Sequence, residues 1–264
     1  MHTRLVVKLG GGLISNKSSM KEFKSETVRK LADSLFSISE MGVSIIIVHG
    51  AGSFGHLLAK KWGISNGLEE EEAENQRFAV NQIRSDMKEL NSLITEIFED
   101  SGLKCKSYAP SEWAKDTGSS FKGDVSIFDV GPCDPLPITF GDVVDTTDER
   151  EFGILSGDDL MLRISCELDV SHCVFLIGDA EGVLSGPPNE QGSALIEVLN
   201  SHSQMKGEHD ADIDVTGGIS LKVDRALEIS KEVEEVWIID GRKPSRIIEL
   251  LTEGKTTGTK VVDS

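Results

Sequence analysis

The sequence predicts an α/β fold, a three-layer αβα sandwich around a mostly parallel central sheet. Short apolar runs without a polar face recur along the chain, and stretches of helical periodicity separate them. Strands buried on both sides and alternating with helices argue for a parallel sheet covered on each face. The first two such runs also end in glycine clusters, so the order strand, glycine loop, helix occurs twice.

Leu5 to Leu9 is β-prone and ends at Gly10, Gly11 and Gly12, which reads as a buried strand feeding a tight loop. From Ser25 to Met41, apolar residues at Val28, Leu31, Ala32, Leu35, Phe36 and Ile38 keep a helical stripe, and Gly42 stands where a helix-ending glycine belongs. Val43 to Val48 is a second buried strand, running into Gly50-Ala51-Gly52-Ser53-Phe54-Gly55-His56 and another helical stretch. Residues 74 to 100 form a long helix with Phe78, Ile83, Met87, Leu90, Leu93, Ile94 and Ile97 on its apolar side. Leu136 to Val144 is strand-like, and Ser156-Gly157-Asp158-Asp159 opens a helix, because Ser or Asp there can accept its free amides. Cys173 to Ile177 is a further strand ending in Gly178 and Asp179, a shape that Val233 to Asp240 repeats. No repeat or long linker divides the chain, so any lobes share one continuous sheet.

Composition narrows the function. With 264 residues, 38% hydrophobic and 27% charged, the chain falls among soluble globular proteins. Its longest apolar runs fall far short of the ~20 residues that cross a bilayer, and its N-terminus lacks the apolar stretch of a signal peptide. A cytoplasmic enzyme with no membrane partner is expected. Forty-five acids against 27 bases give a net charge of −18, which repels nucleic acid. Five carboxylates between Glu69 and Glu74 read as a solvated helix start. Cys105, Cys133, Cys166 and Cys173 include no CxxC pair and no histidine at zinc spacing, so they read as buried free thiols.

The glycine loops carry the chemistry. Gly50, Gly52 and Gly55 satisfy GxGxxG between a strand and a helix, which permits an NAD-binding oxidoreductase. Gly10-Gly11-Gly12 makes a second site, and Asp214-Val215-Thr216-Gly217-Gly218 with Lys222 makes a third. A dinucleotide fold needs one pyrophosphate cradle, whereas several cradles with lysines suit transfer of a phosphoryl group between two phosphorylated ligands. The plain alternative for each loop is a tight turn. GxxxxGK[ST] and the protein-kinase signatures HRD and DFG are missing.

Taken together, Lys8-Leu9-Gly10-Gly11-Gly12 with Lys17, Gly52-Ser53-Phe54-Gly55-His56, Gly141 to Val144, Ser156 to Asp159 and Asp214 to Gly218 resemble the amino acid kinase superfamily over nearly the whole chain. Within it, the histidine after the second loop is similar to that of the isopentenyl phosphate kinases. Two departures stand out: Gly12 replaces a serine, and Gly178 and Ala180 replace a hydroxyl residue and a valine, both on the nucleotide side.

The resemblance implies ATP-dependent phosphorylation of isopentenyl phosphate to isopentenyl diphosphate, with fosfomycin or another small phosphonate as a sibling acceptor and a nucleotide-sensing regulator as a further possibility. It implies Mg²⁺ held by nucleotide phosphates and water rather than by a protein metal site, and a homodimer. Residues 1–170 would form the acceptor lobe and residues 171–264 the nucleotide lobe of one structural domain. Lys8, Lys17, Asp158 and Lys222 would be catalytic: Lys8 and Lys222 on the phosphates of ATP, Lys17 on the transferring group, Asp158 organising the lysines. Ala51, Gly52, His56 and Gly157 would bind the acceptor, with Phe78, Ile83 and Met87 as the wall for its tail. Gly10, Gly11, Gly12, Gly52, Asp179, Gly217, Gly218 and Lys222 would bind ATP. The plain readings are a solvated lysine for Lys17, a helix cap for Asp158, a backbone-bonded imidazole for His56 and a core stripe for the wall.

Overall fold

A computed structural model describes residues 3–16, 19–187, 192–201 and 218–263. Strand β1 (Arg4–Leu9) passes through a single helical turn, α1 (Gly11–Ile14), into α2 (Ser25–Glu40), and β2 (Ser44–His49) leads into α3 (Gly52–Lys61) and the long α4 (Ala73–Asp100). Next come β3 (Cys105–Ser107), the short α5 (Pro110–Trp113), β4 (Leu136–Phe140) and the hairpin of β5 (Asp142–Asp145) with β6 (Phe152–Leu155). Helix α6 (Gly157–Glu167) precedes β7 (His172–Ile177), β8 (Val198–Leu199), α7 (Gly218–Ile229), β9 (Glu235–Asp240), α8 (Ser245–Glu253) and β10 (Thr259–Val261).

The main sheet has eight strands in the order β3-β4-β2-β1-β7-β9-β10-β8. The run from β3 to β9 is parallel; β10 turns antiparallel to β9 and carries β8 beside it. The chain leaves β1 for β2 on one side and later returns to pair β7 on the other. Ligands of open parallel sheets bind at such a reversal, beyond the carboxyl ends of the strands.

Side chains alternate across a strand, so each central strand feeds two cores. Leu5, Val7 and Leu9 of β1 pack with α2, α3, α4 and α8, while Val6 faces a second core made with α6 and α7. These are the three layers that the sequence predicts.

Four local expectations need correction. Leu136 to Val144 is not one strand: at Gly141, whose amide donates to the carbonyl of His49 at 3.0 Å, the chain leaves the main sheet and enters the β5–β6 hairpin. Phe78 is 72% exposed, because the five residues to Ile83 turn it about 140° away from the buried stripe. Phe36 lies at the margin of its stripe, 37% exposed. Of the cysteines only Cys173 is buried; Cys105 is half-buried, and Cys133 and Cys166 are exposed, one in the turn before β4 and the other near the end of α6. Among the described residues, no helix is long and apolar enough to cross a membrane.

Candidate active site

The first two glycine loops touch backbone to backbone. A Cβ on Gly11 would lie 2.5 Å from the amide nitrogen of Gly52, and Gly52 itself has φ +52°, with a Cβ there meeting Ser15 Oγ at 2.0 Å. Neither position accepts a side chain, and the approach of two loops accounts for these glycines. Fully buried Ser15 locks the pair: its hydroxyl accepts from the Ser53 amide and donates to the Gly11 carbonyl, both at 2.9 Å. The amides of Gly11 and Gly12 donate to no group among the described residues.

Strand alternation places Lys8 on the same face as Val6, toward the start of α6. There Ser156 caps the helix, its hydroxyl accepting from the Asp159 amide at 3.1 Å. The cap is therefore Ser156, and the carboxylate of Asp158 is committed elsewhere. Its Oδ2 lies 2.6 Å from Lys8 Nζ and its Oδ1 3.1 Å from Lys222 Nζ on α7, with all three groups buried. Asp159 pairs with Arg225 at 2.8 Å and ties α6 to α7.

The charges in this triad shape one another. Burial lowers the Lys8 ammonium to about 8 despite the attraction of Asp158. For Asp158 burial acts to raise the pKa, but the charges of Lys222 and Lys8 outweigh it and bring the carboxyl down to about 2. One carboxylate between two ammoniums leaves net positive charge on the sheet's carboxyl edge, which suits an anion.

A cleft of about 400 Å³ opens over this triad. Of the residues expected from the sequence, Lys8, Asp158, Lys222 and Asp179 line it together with Ala51, His56, Gly157 and the glycines at 10, 11 and 12. Gly52 is buried between Ser15 and Gly11 rather than facing the cleft. Gly218 opens α7, while Lys17 and Gly217 lie outside the described residues. Ile83 and Met87 of α4 form an apolar wall with Ala59, Val143 and Ile154; Phe78 is not part of it.

Three residues here escaped the sequence reading. Ser15 clamps the loops. Asp142 lines the cleft with its carboxyl pushed up to about 6 by burial, against the hydrogen bonds it accepts from the Ser111 and Val143 amides. Lys24, just before α2, lines the cleft and donates to the Gly12 carbonyl at 2.8 Å. Asp142 belongs to the Gly141–Val144 motif but was given no role of its own, while Ser15 and Lys24 are brought into place by the return of the chain over the first loop. No cluster of three or more His, Cys, Asp or Glu able to hold a metal occurs among the described residues.

The chain is similar to known proteins over most of its length. Residues 3–240 match the model of the amino acid kinase family. The chain is 29% identical over 267 residues to the isopentenyl phosphate kinase of Methanothermobacter thermautotrophicus, covering 97% of this chain and 98% of that one. To the enzyme of the same name from Thermoplasma acidophilum it is 27% identical over 92% of this chain and 94% of the relative. A solved structure described as an X-ray structure of isopentenyl phosphate kinase superposes with a TM-score of 0.83 at 25% identity, covering 98% of this chain and all (100%) of the other.

Proposed function

Because the chain belongs to the amino acid kinase family, we propose that it transfers the γ-phosphoryl group of ATP to isopentenyl phosphate, giving isopentenyl diphosphate. One observation carries this reading: a single cleft holds the Lys8–Asp158–Lys222 triad, the histidine His56 and an apolar wall. A monophosphate with a short hydrocarbon tail needs that combination, since the cations meet its charge and the wall meets its tail. The isopentenyl phosphate kinases among its relatives support the same acceptor.

The acceptor phosphate is already ionised at neutral pH, so no base has to remove a proton before attack. The work is to neutralise two anions that repel each other and to align the attacking oxygen with the γ-phosphorus. Lys8 and Lys222 take the nucleotide phosphates, and Asp158 holds both ammoniums in position. His56 donates a hydrogen bond to the acceptor phosphate, which favours phosphate over carboxylate, while Ala51 and Gly157 shape the floor beneath it. Ile83, Met87, Val143 and Ile154 enclose the tail. In this reading Lys17 sits on the transferring group, and Asp179 with the glycines at 217 and 218 belongs to the nucleotide. The halves 1–170 and 171–264 then serve acceptor and nucleotide, and the working form is a homodimer.

Mg²⁺ fits as a passenger of the nucleotide, because among the described residues the cleft offers isolated carboxylates such as Asp179 rather than a cage of ligands. When bound, it supplies further charge neutralisation on the phosphates.

Coupled ADP release with isopentenyl phosphate, dimethylallyl phosphate and fosfomycin side by side tests the reading. Rapid release with the first and a large loss in His56→Ala are expected; release with none of the three would refute it.

A further inference from the structure

Three lysines among the described residues line the cleft, and they differ in how their charge is met. Lys8 and Lys222 share Asp158. Lys24 has no carboxylate partner among the described residues; the one hydrogen bond of its ammonium there runs from Nζ to the carbonyl of Gly12. In a chain with 45 acids and 27 bases, a half-buried ammonium in a cleft with no carboxylate partner among the described residues is conspicuous. An ammonium has three donors, and one carbonyl takes only one of them.

The backbone holds Lys24 at this place. The Lys24 amide donates to the Ile14 carbonyl at 2.9 Å, the Asn16 amide donates to the Glu22 carbonyl at 2.9 Å, and Ser15 bridges Phe23 in antiparallel fashion. These bonds fold the segment after α1 back on itself, so that the residue entering α2 returns to the first glycine turn. Lys21 in the same segment is fastened to α4 through Asp86 and Glu89 at 2.8 and 2.6 Å. Lys24 is therefore presented by an anchored segment, with its ammonium over the turn whose Gly11 and Gly12 amides have no acceptor among the described residues.

We propose that Lys24 is a direct ligand of a phosphate group bound over the Gly10–Gly12 turn, a cation of the site additional to Lys8 and Lys222. The inference rests on the proposed kinase reading. The phosphate belongs to the nucleotide or to the acceptor, and both present the same oxyanion chemistry.

Equilibrium binding to wild type, Lys24→Met and Lys24→Arg separates the cases, measured by calorimetry with the Mg²⁺ complex of a non-hydrolysable ATP analogue and, separately, with isopentenyl phosphate. Lys24→Met is expected to weaken one of the two ligands by about tenfold or more, as loss of a charge-assisted hydrogen bond does, while the unliganded protein melts as wild type does. Lys24→Arg should recover most of the affinity. The arm that weakens identifies which phosphate Lys24 holds. Affinities of Lys24→Met within twofold of wild type for both ligands would overturn the proposal. So would a loss matched by a lower melting temperature of the unliganded protein and not relieved by arginine, because Lys24 would then only brace the Gly12 carbonyl. If Lys24→Met does not fold, Lys24→Gln takes the same comparison. Wild type that binds neither ligand refutes the kinase reading itself, a result distinct from either outcome for Lys24.

Discussion

The hydroxyl of Ser15 receives the amide of Ser53 at 2.9 Å while giving its own proton to Gly11, and so joins two loops that belong to different strands. Ser15 is fully buried. Ser15→Ala would leave the buried Ser53 amide without its partner, at a cost of about 1–3 kcal/mol, while the Gly11 carbonyl keeps the Ser15 backbone amide. Denaturant unfolding is expected to show a lower midpoint with an unchanged slope. Steady-state kinetics should show a raised KM for ATP, because Gly11 would no longer be pinned against Gly52.

The triad predicts a pH profile. Lys8 falls from 10.5 to about 8 on folding, so the free enzyme loses a phosphate-binding charge as pH rises through that value. kcat/KM is expected to decline with an apparent pKa near 8. Bound phosphates would restore the proton, so kcat itself should bend at a higher pH. Asp158→Asn removes the attraction that holds the Lys8 proton and should move the kcat/KM limb to lower pH while cutting turnover by about a hundredfold or more, the scale of losing a pre-organised charge.

The same shifts fix the sign for stability. The unfolded chain binds more protons at Lys8 between about 8 and 10.5, so the Lys8 contribution to stability rises with pH across that window. Asp158 acts at the other end: its contribution is complete above its ordinary 3.8 and is lost as pH falls toward about 2. Denaturation midpoints of wild type and Asp158→Asn between pH 2 and 5 check this, with the gap between them narrowing as the acid limit is approached.

On the proposed reading, α4 and α3 set the tail length. Met87 and Ile83 line the cleft, and Gly55 lies against them, since a Cβ there would meet Met87 Sδ at 3.3 Å and the Ala51 Cβ at 2.9 Å. Met87→Ala is expected to raise kcat/KM for longer alkyl phosphates relative to isopentenyl phosphate by about tenfold, the scale of one or two methylenes in a pocket. Gly55→Ala should do the reverse and penalise isopentenyl phosphate as well. A chain-length series assayed by ADP release reads both.

Much of this arrangement was legible in the chain because glycine and burial pattern speak locally. Gly10 to Gly12 after an apolar run, and Ser156 before Asp158 and Asp159, announce a loop and a capped helix whatever lies around them. Other features depend on contacts across the fold. Phe78 is a different miss, because its five-residue spacing to Ile83 within α4 already turns it off the buried stripe. The break at Gly141 needs the carbonyl of His49, more than ninety positions earlier. Sequence alone leaves Asp158 between organiser of the lysines and helix cap, a choice decided by Ser156 in the cap position, and Lys24 carries no motif because its place is set by the Ser15–Phe23 bridge. The residues that read clearly are those whose own backbone demands them; the break at Gly141, the Asp158 pairing and the place of Lys24 are defined by partners elsewhere in the fold.

The central claim is that one cationic cleft brings two phosphates together. A crystal structure with isopentenyl phosphate and a non-hydrolysable ATP analogue, both bound, tests it most directly. The account predicts the γ-phosphate against Lys8 and Lys222, the acceptor phosphate within hydrogen-bond reach of His56, and the tail against Ile83 and Met87. An acceptor bound outside the cleft, or an imidazole of His56 turned away from its phosphate, would contradict it.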